Sequence, residues 1–312
     1  MKTETYVRLV LAGIIVFCLS SCSYRKIMIN DVVDMADIAL TSIENEYDNI
    51  ELLEKAAPGN LVNLEALLAN DPENYRMLTL LSKAYFSYTY AFLEDKLEAA
   101  VFNVNGCKHG KERIKTLKND VSRHYKKGMD FGLKALEVKY PGCRDKLNNV
   151  TLADNFINSL EKEDVPALFW YGVNLTAYIN VNKDSVKAVS KLHIARAAMQ
   201  RVTIVDPEYY YGGAYLNLMT ICSSVPPILG GNPELALTYY KKHKEIAGKN
   251  FLHTDLQYAR YYLYQNQKRE EFEKVLKHII ESAWNGKEYR MLNIVAKERA
   301  RIYLEATDVL FE

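Results

Sequence analysis

In Asp71-Pro72-Glu73-Asn74-Tyr75-Arg76-Met77-Leu78-Thr79-Leu80-Leu81-Ser82-Lys83-Ala84-Tyr85-Phe86-Ser87-Tyr88-Thr89-Tyr90-Ala91-Phe92-Leu93-Glu94, the segment from Glu73 to Glu94 reads as one helix. Leu78, Leu81, Tyr85, Tyr88 and Phe92 recur at spacings of about 3 and 4, the period of an apolar helical stripe. Leu80, Ala84, Ser87 and Ala91 form a second face of mostly small residues. A helix that is apolar on two faces belongs between other helices, and small residues let one neighbour come close.

Outward from this segment, most of the chain reads as helix. It has only 14 Gly and 8 Pro, and the prolines sit at segment edges. Asp71-Pro72, Asp206-Pro207 and Asn232-Pro233 each place a capping residue before a Pro at the first helical position. Pro141-Gly142 and Pro226-Pro227 mark breaks. The best candidate strand, Val101-Phe102-Asn103-Val104, is short, and the polar stretch 101–120 reads as a long loop. Leu78, Leu81-Ser82 and Tyr85 also fit the first helix of a tetratricopeptide (TPR) repeat. Ala195, Met199 and Val202, ahead of Asp206-Pro207, fit a second helix. A looser unit runs from Tyr258 to Ile280 with a turn near Asn266-Gln267. The expected architecture is all-α: an α-solenoid or helical bundle of degenerate TPR-like hairpins.

The N-terminus carries a location signal. Lys2 and Arg8 precede an apolar run from Leu9 to Ser20, and Leu19-Ser20-Ser21-Cys22 has the order of a lipobox. A bilayer span needs about 20 apolar residues; this run is shorter and suits a cleaved signal peptide. The expectation is a signal over 1–21, acylation of Cys22, a tether over 22–30 and a single helical domain over 31–312. The tether reaches at most about 26–29 Å. Ser23, where an acidic residue would favour inner-membrane retention, points to the outer membrane.

The formal net charge is +1. Loss of Lys2, Glu4 and Arg8 leaves the chain near neutral, with no basic field for nucleic acid. Cys18 leaves with the signal; Cys107, Cys143 and Cys222 remain, an odd number that does not indicate a disulfide framework. A Cys107–Cys143 pair and three separate thiols both stay open. The six His form no metal-ligand spacing, and His243 lies among lysines. There is no P-loop, GxGxxG or GxSxG, so no cofactor and no enzymatic activity are expected. Glu44/Glu46 and Glu270/Glu271 read as solvated carboxylates. Gly212-Gly213, inside a helical pattern, reads as a point of close packing, and Gly230-Gly231-Asn232-Pro233 as a turn into a cap.

Tyrosine is abundant, 23 against 10 Phe and 2 Trp. Tyr has an apolar body and a polar tip and suits half-wet walls. Two aromatic groups are either core or the wall of an apolar cleft. One is Phe169-Trp170-Tyr171. The other is Tyr85, Tyr88, Tyr90 and Phe92. Tyr211 joins them as a cleft candidate.

Several blocks together resemble one family. They are Ala57-Pro58-Gly59-Asn60-Leu61, Glu65-Ala66-Leu67-Leu68, Tyr88-Thr89-Tyr90-Ala91-Phe92, Gly132-Leu133-Lys134-Ala135-Leu136 and Tyr140-Pro141-Gly142. Asp164-Val165-Pro166-Ala167-Leu168-Phe169-Trp170, Asp206-Pro207-Glu208, Gly212-Gly213-Ala214 and Arg299-Ala300-Arg301 follow in order. The chain resembles the TatT family, lipoprotein T-components of TRAP (tripartite ATP-independent periplasmic) transporters. The resemblance implies degenerate TPR hairpins, a lipid-anchored periplasmic protein, and self-association as a trimer. It also implies a partner, the solute-binding P-component, and an internal cleft for an apolar small ligand. It carries no catalytic residues. A general TPR adaptor lipoprotein in envelope assembly or secretion is the alternative.

Overall fold

The computed structural model describes residues 28–312 apart from 105–109, 226 and 285. The expected signal peptide, Cys22 and Cys107 lie outside the described residues. Among those described there is no strand, and the all-α expectation holds. The helices are α1 (28–46), α2 (Ile50–Leu68), α3 (Tyr75–Tyr88), α4 (Glu94–Phe102), α5 (Lys111–Lys139), α6 (Cys143–Lys146), α7 (Val150–Ser159), α8 (Val165–Val181), α9 (Val186–Val189), α10 (Leu192–Val205), α11 (Tyr209–Ser224), α12 (Pro233–Ala247), α13 (Leu252–Gln257), α14 (Arg269–Glu281), α15 (Arg290–Glu305) and α16 (Thr307–Leu310). Two π-helical segments, Thr89–Leu93 and Tyr258–Leu263, continue α3 into α4 and extend α13.

Successive helices pack as neighbours joined by short turns: α2 on α3, α10 on α11, α11 on α12, α14 on α15. The sandwiching expected of α3 is present, with α2, α5 and α8 against it. On the α5 side, the Ser82 hydroxyl donates to the Gly128 carbonyl at 2.7 Å. Ala195, Met199 and Val202 are all buried in α10, as their repeat phase requires.

Several local expectations shift. Only Asn232-Pro233 acts as cap and first-turn Pro, with Asn232 Oδ1 accepting from Leu235 N at 3.0 Å. Asp71-Pro72 and Asp206-Pro207 lie in turns, and the helices start later, at Tyr75 under an Asn74 cap and at Tyr209. Pro58 falls inside α2 rather than at an edge. Val101-Phe102 is no strand. It ends α4, and Asn103 closes that helix in the left-handed conformation at φ 56°. The long loop expected over 101–120 is also shorter, because α5 begins at Lys111. Leu117, Val121 and Tyr125 bury one stripe of α5, which outweighs its many lysines.

Two large apolar clusters fill the molecule. The first draws on α3, α5, α8 and α10, the second on α11 to α15. Helix α11 serves both. Ala214, Leu218 and Ile221 face the first cluster, while Leu216, Met219 and Cys222 face the second. This seam holds the candidate site.

Candidate functional site

A row of four cavities with shared walls starts inside the first cluster and crosses the seam. The outer one, about 420 Å³, lies beside α1 and α3 and includes Asp37, Arg76 and Lys83 in its wall. Trp170 and Tyr210 stand between it and an inner chamber of about 90 Å³. The chamber shares Phe86, Val173, Asn217, Thr220 and Gln257 with a compartment of about 60 Å³. That compartment shares Glu94, Asn180, Val181 and Tyr261 with a fourth cavity of about 330 Å³.

Aromatic rings make most of the chamber wall. Trp170, on α8, is 2% exposed. It meets Phe169 edge-on at 4.9 Å and Tyr210 at 4.7 Å, a geometry that aromatic quadrupoles favour. The backbone that delivers Tyr210 is unusual. Tyr210, Tyr211 and Gly212 all have positive φ (46°, 60° and 74°), breaking the start of α11. A non-glycine residue there is strained, and such strain gathers at functional sites. Gly213 then lies so close to Phe169 that an added Cβ would sit 2.8 Å from the ring. Gly212 meets Ile246 of α12 in the same way, so this pair does serve close packing.

The sequence candidates divide. Phe169 and Trp170 line the chamber, but their neighbour Tyr171 faces away and packs against Gly132 of α5. Tyr211 packs on Phe251 and Tyr289, and it is Tyr210 that lines the chamber. Tyr88 and Phe92 line a different cavity, about 80 Å³, between α1, α2 and α3. Tyr85 hydrogen-bonds Glu65 beside Lys127. From the same segment, Phe86 and Tyr90 face the row instead, four residues apart on one side of the helix.

Glu46, Glu270 and Glu271 are exposed as the sequence suggests, whereas Glu44 and His243 are buried. Glu44 accepts from Tyr210 at 3.0 Å, with Lys83 Nζ at 3.6 Å. Burial raises its pKa against the pull of Lys83 and Tyr210. Ile29, Val33 and Leu40 precede it at helical spacing, a stripe that marks position 44 as inward-facing. His243, expected on a lysine-rich face, is fully buried and lines the chamber. Its stripe is Ala236, Tyr239, His243 and Ala247; the lysines occupy the other faces. Burial pushes its pKa down to about 4. Burial, then Arg299 and Arg260, hold His253 well below the usual imidazole range. His253 is paired, with Tyr90 Oη at 3.3 Å and Gln257 Nε2 at 3.1 Å.

Beyond the chamber lies a buried ion network. Arg260 donates to Glu94 at 2.7 Å and also to Glu98. Arg299 binds Asp95 and the Tyr90 carbonyl. The π segment at 89–93 alters the helical bonding around that carbonyl, and Arg299 takes it up. Burial raises Asp95 to about 7 against the attraction of Arg299. For Glu94 burial acts upward too, but Arg299 and Arg260 outweigh it and its pKa falls. Cys143 and Cys222 are free and buried. Among the described residues no group of three His, Cys, Asp or Glu side chains is placed to hold a metal ion, and no helix is long and apolar enough to cross a membrane. This arrangement can enclose a small molecule.

The family model described as TRAP transporter T-component matches residues 46–311. No curated protein matches the chain.

Proposed function

Because the chain belongs to the TRAP transporter T-component family, we propose that it is a non-enzymatic accessory protein anchored by lipid at Cys22. On this reading it holds the periplasmic solute-binding P-component near the membrane, as a trimer. It also takes a small, largely apolar ligand in the chamber walled by Phe169 and Trp170. The observation that carries the ligand reading is the row of cavities that crosses the seam between two cores. A packed interior has few voids larger than a water molecule, and apolar pockets with a few convergent polar groups are where small ligands bind. The anchoring reading rests on the Leu19-Ser20-Ser21-Cys22 order.

The partner claim is tested with the soluble chain, residues 23–312, mixed with the solute-binding protein encoded beside it. A complex at tens of micromolar is expected, and its absence would overturn the scaffold role. Light scattering on the same sample reads the trimer.

A further inference from the structure

We propose that the inner chamber takes one small, uncharged ring compound whose polar atom pairs with His243 Nε2. This rests on the reading of the chamber as a ligand site and names the class of ligand. His243 is fully buried on α12, and its Nδ1 lies 3.0 Å from Thr254 Oγ1. His243 lines the chamber, and its Nε2 is buried without a protein partner among the described residues. In either tautomer that nitrogen offers a hydrogen bond, as donor or acceptor. A buried polar atom left unpaired is costly, and a ligand that pairs with it recovers that cost.

Size and wall chemistry set the rest. The chamber holds about 90 Å³, less than the roughly 150 Å³ apolar cavity that accommodates one benzene, so a ring fits by extending into the adjoining compartment of about 60 Å³. Rings from four separate segments, Phe86, Trp170, Tyr210 and Phe251, surround the space. They suit the edge or face of another ring. Charge is disfavoured because, among the described residues, no Asp, Glu, Lys or Arg lines the chamber. His253 is already paired, and Arg260 and Arg299 are engaged by Glu94, Asp95 and Glu98. A carboxylate or ammonium would lose its hydration there without an opposite partner.

The test titrates residues 23–312 with phenol, toluene and benzoate, followed by calorimetry and by tryptophan fluorescence in a Trp284→Phe background that leaves Trp170 as the emitter. Phenol is expected to bind about tenfold more tightly than toluene, and benzoate more weakly than either. In His243→Leu, phenol and toluene become equal while toluene is retained. The wild-type phenol-to-toluene ratio reads the proposal even if that variant folds poorly. Equal binding of phenol and toluene by the wild type, or a phenol advantage that persists in a folded His243→Leu, overturns the role of His243 and leaves the chamber as a ligand site. Benzoate binding most tightly overturns the uncharged class. No binding of any probe at millimolar concentration overturns both this proposal and the chamber reading.

Discussion

The Tyr210 hydroxyl donates to Glu44 Oε1 at 3.0 Å, tying α1 to the start of α11 across 166 residues of sequence. The bond holds Tyr210 where it separates the outer cavity from the chamber, on backbone at φ 46°. It also serves the carboxylate, whose other close contact is Lys83 at 3.6 Å. Tyr210→Phe keeps the ring and removes the donor. We expect a loss of about 1–3 kcal/mol, the cost of under-pairing a buried polar group, read by thermal melting. A loss within error would mean that the hydroxyl contributes nothing to the latch.

Gly132 and Gly59 should respond to alanine with opposite signs. A Cβ on Gly132 would lie 2.9 Å from Ser82 Oγ and 2.9 Å from Tyr171 Cα. The second of these is backbone and cannot swing aside, so Gly132→Ala should cost about 1–3 kcal/mol. Gly59, exposed within α2, has nothing within 4 Å of its Cβ position. Gly59→Ala should gain about 0.5–1 kcal/mol from lower chain entropy and better helix propensity. Urea denaturation of the two variants checks both.

Arg299 is fully buried against Asp95, Glu94, Glu98 and the Tyr90 carbonyl. Arg299→Met leaves Asp95 without its cation and leaves Glu94 and Glu98 to Arg260 alone. The expected cost is about 3–5 kcal/mol. Arg299→Lys should recover only part of it, since one ammonium cannot reach Asp95 and Tyr90 with the forked geometry of a guanidinium.

Acid should destabilise the fold through His243. Its folded pKa is about 4, below the 6.5 of an unperturbed His. The unfolded chain therefore binds more protons between those values, and stability from this group rises with pH across that window. From pH 7 to pH 5 the loss is about 2 kcal/mol. Asp95, raised to about 7, acts in the opposite direction over pH 4–7. The readout is therefore the difference between wild type and His243→Leu, whose curve should be flatter by that amount. Parallel curves would remove His243 from the account.

Cys22→Ser should abolish acylation and release the protein from membranes, as read by fractionation and metabolic labelling with a fatty acid. A serine variant that stays with membranes would place the tether elsewhere. Stable anchoring takes more than one acyl chain, so partial acylation should give partial release.

The helical class was legible because stripes at spacings of 3 and 4 are local. Leu78, Leu81 and Tyr85 state it alone, as do Ala195, Met199 and Val202. The family was legible from short blocks in order, and the match over 46–311 agrees. Two residues of Phe169-Trp170-Tyr171 reach the site, because adjacent residues on a helix point in different directions and Tyr171 turns into the core. His243 and Glu44 could have been placed inward by their apolar stripes. They were missed because neighbouring charges drew the reading toward solvent.

The choice of Tyr210 over Tyr211 was not legible at all. It depends on three consecutive left-handed residues that re-aim two identical side chains. The sequence by itself determined the helices, their apolar faces, the lipobox order and the family. Only the tertiary structure decided where those faces fail to close. A cavity is a property of surfaces from several segments at once, and α3, α8, α11, α12 and α13 each contribute wall that no local pattern connects.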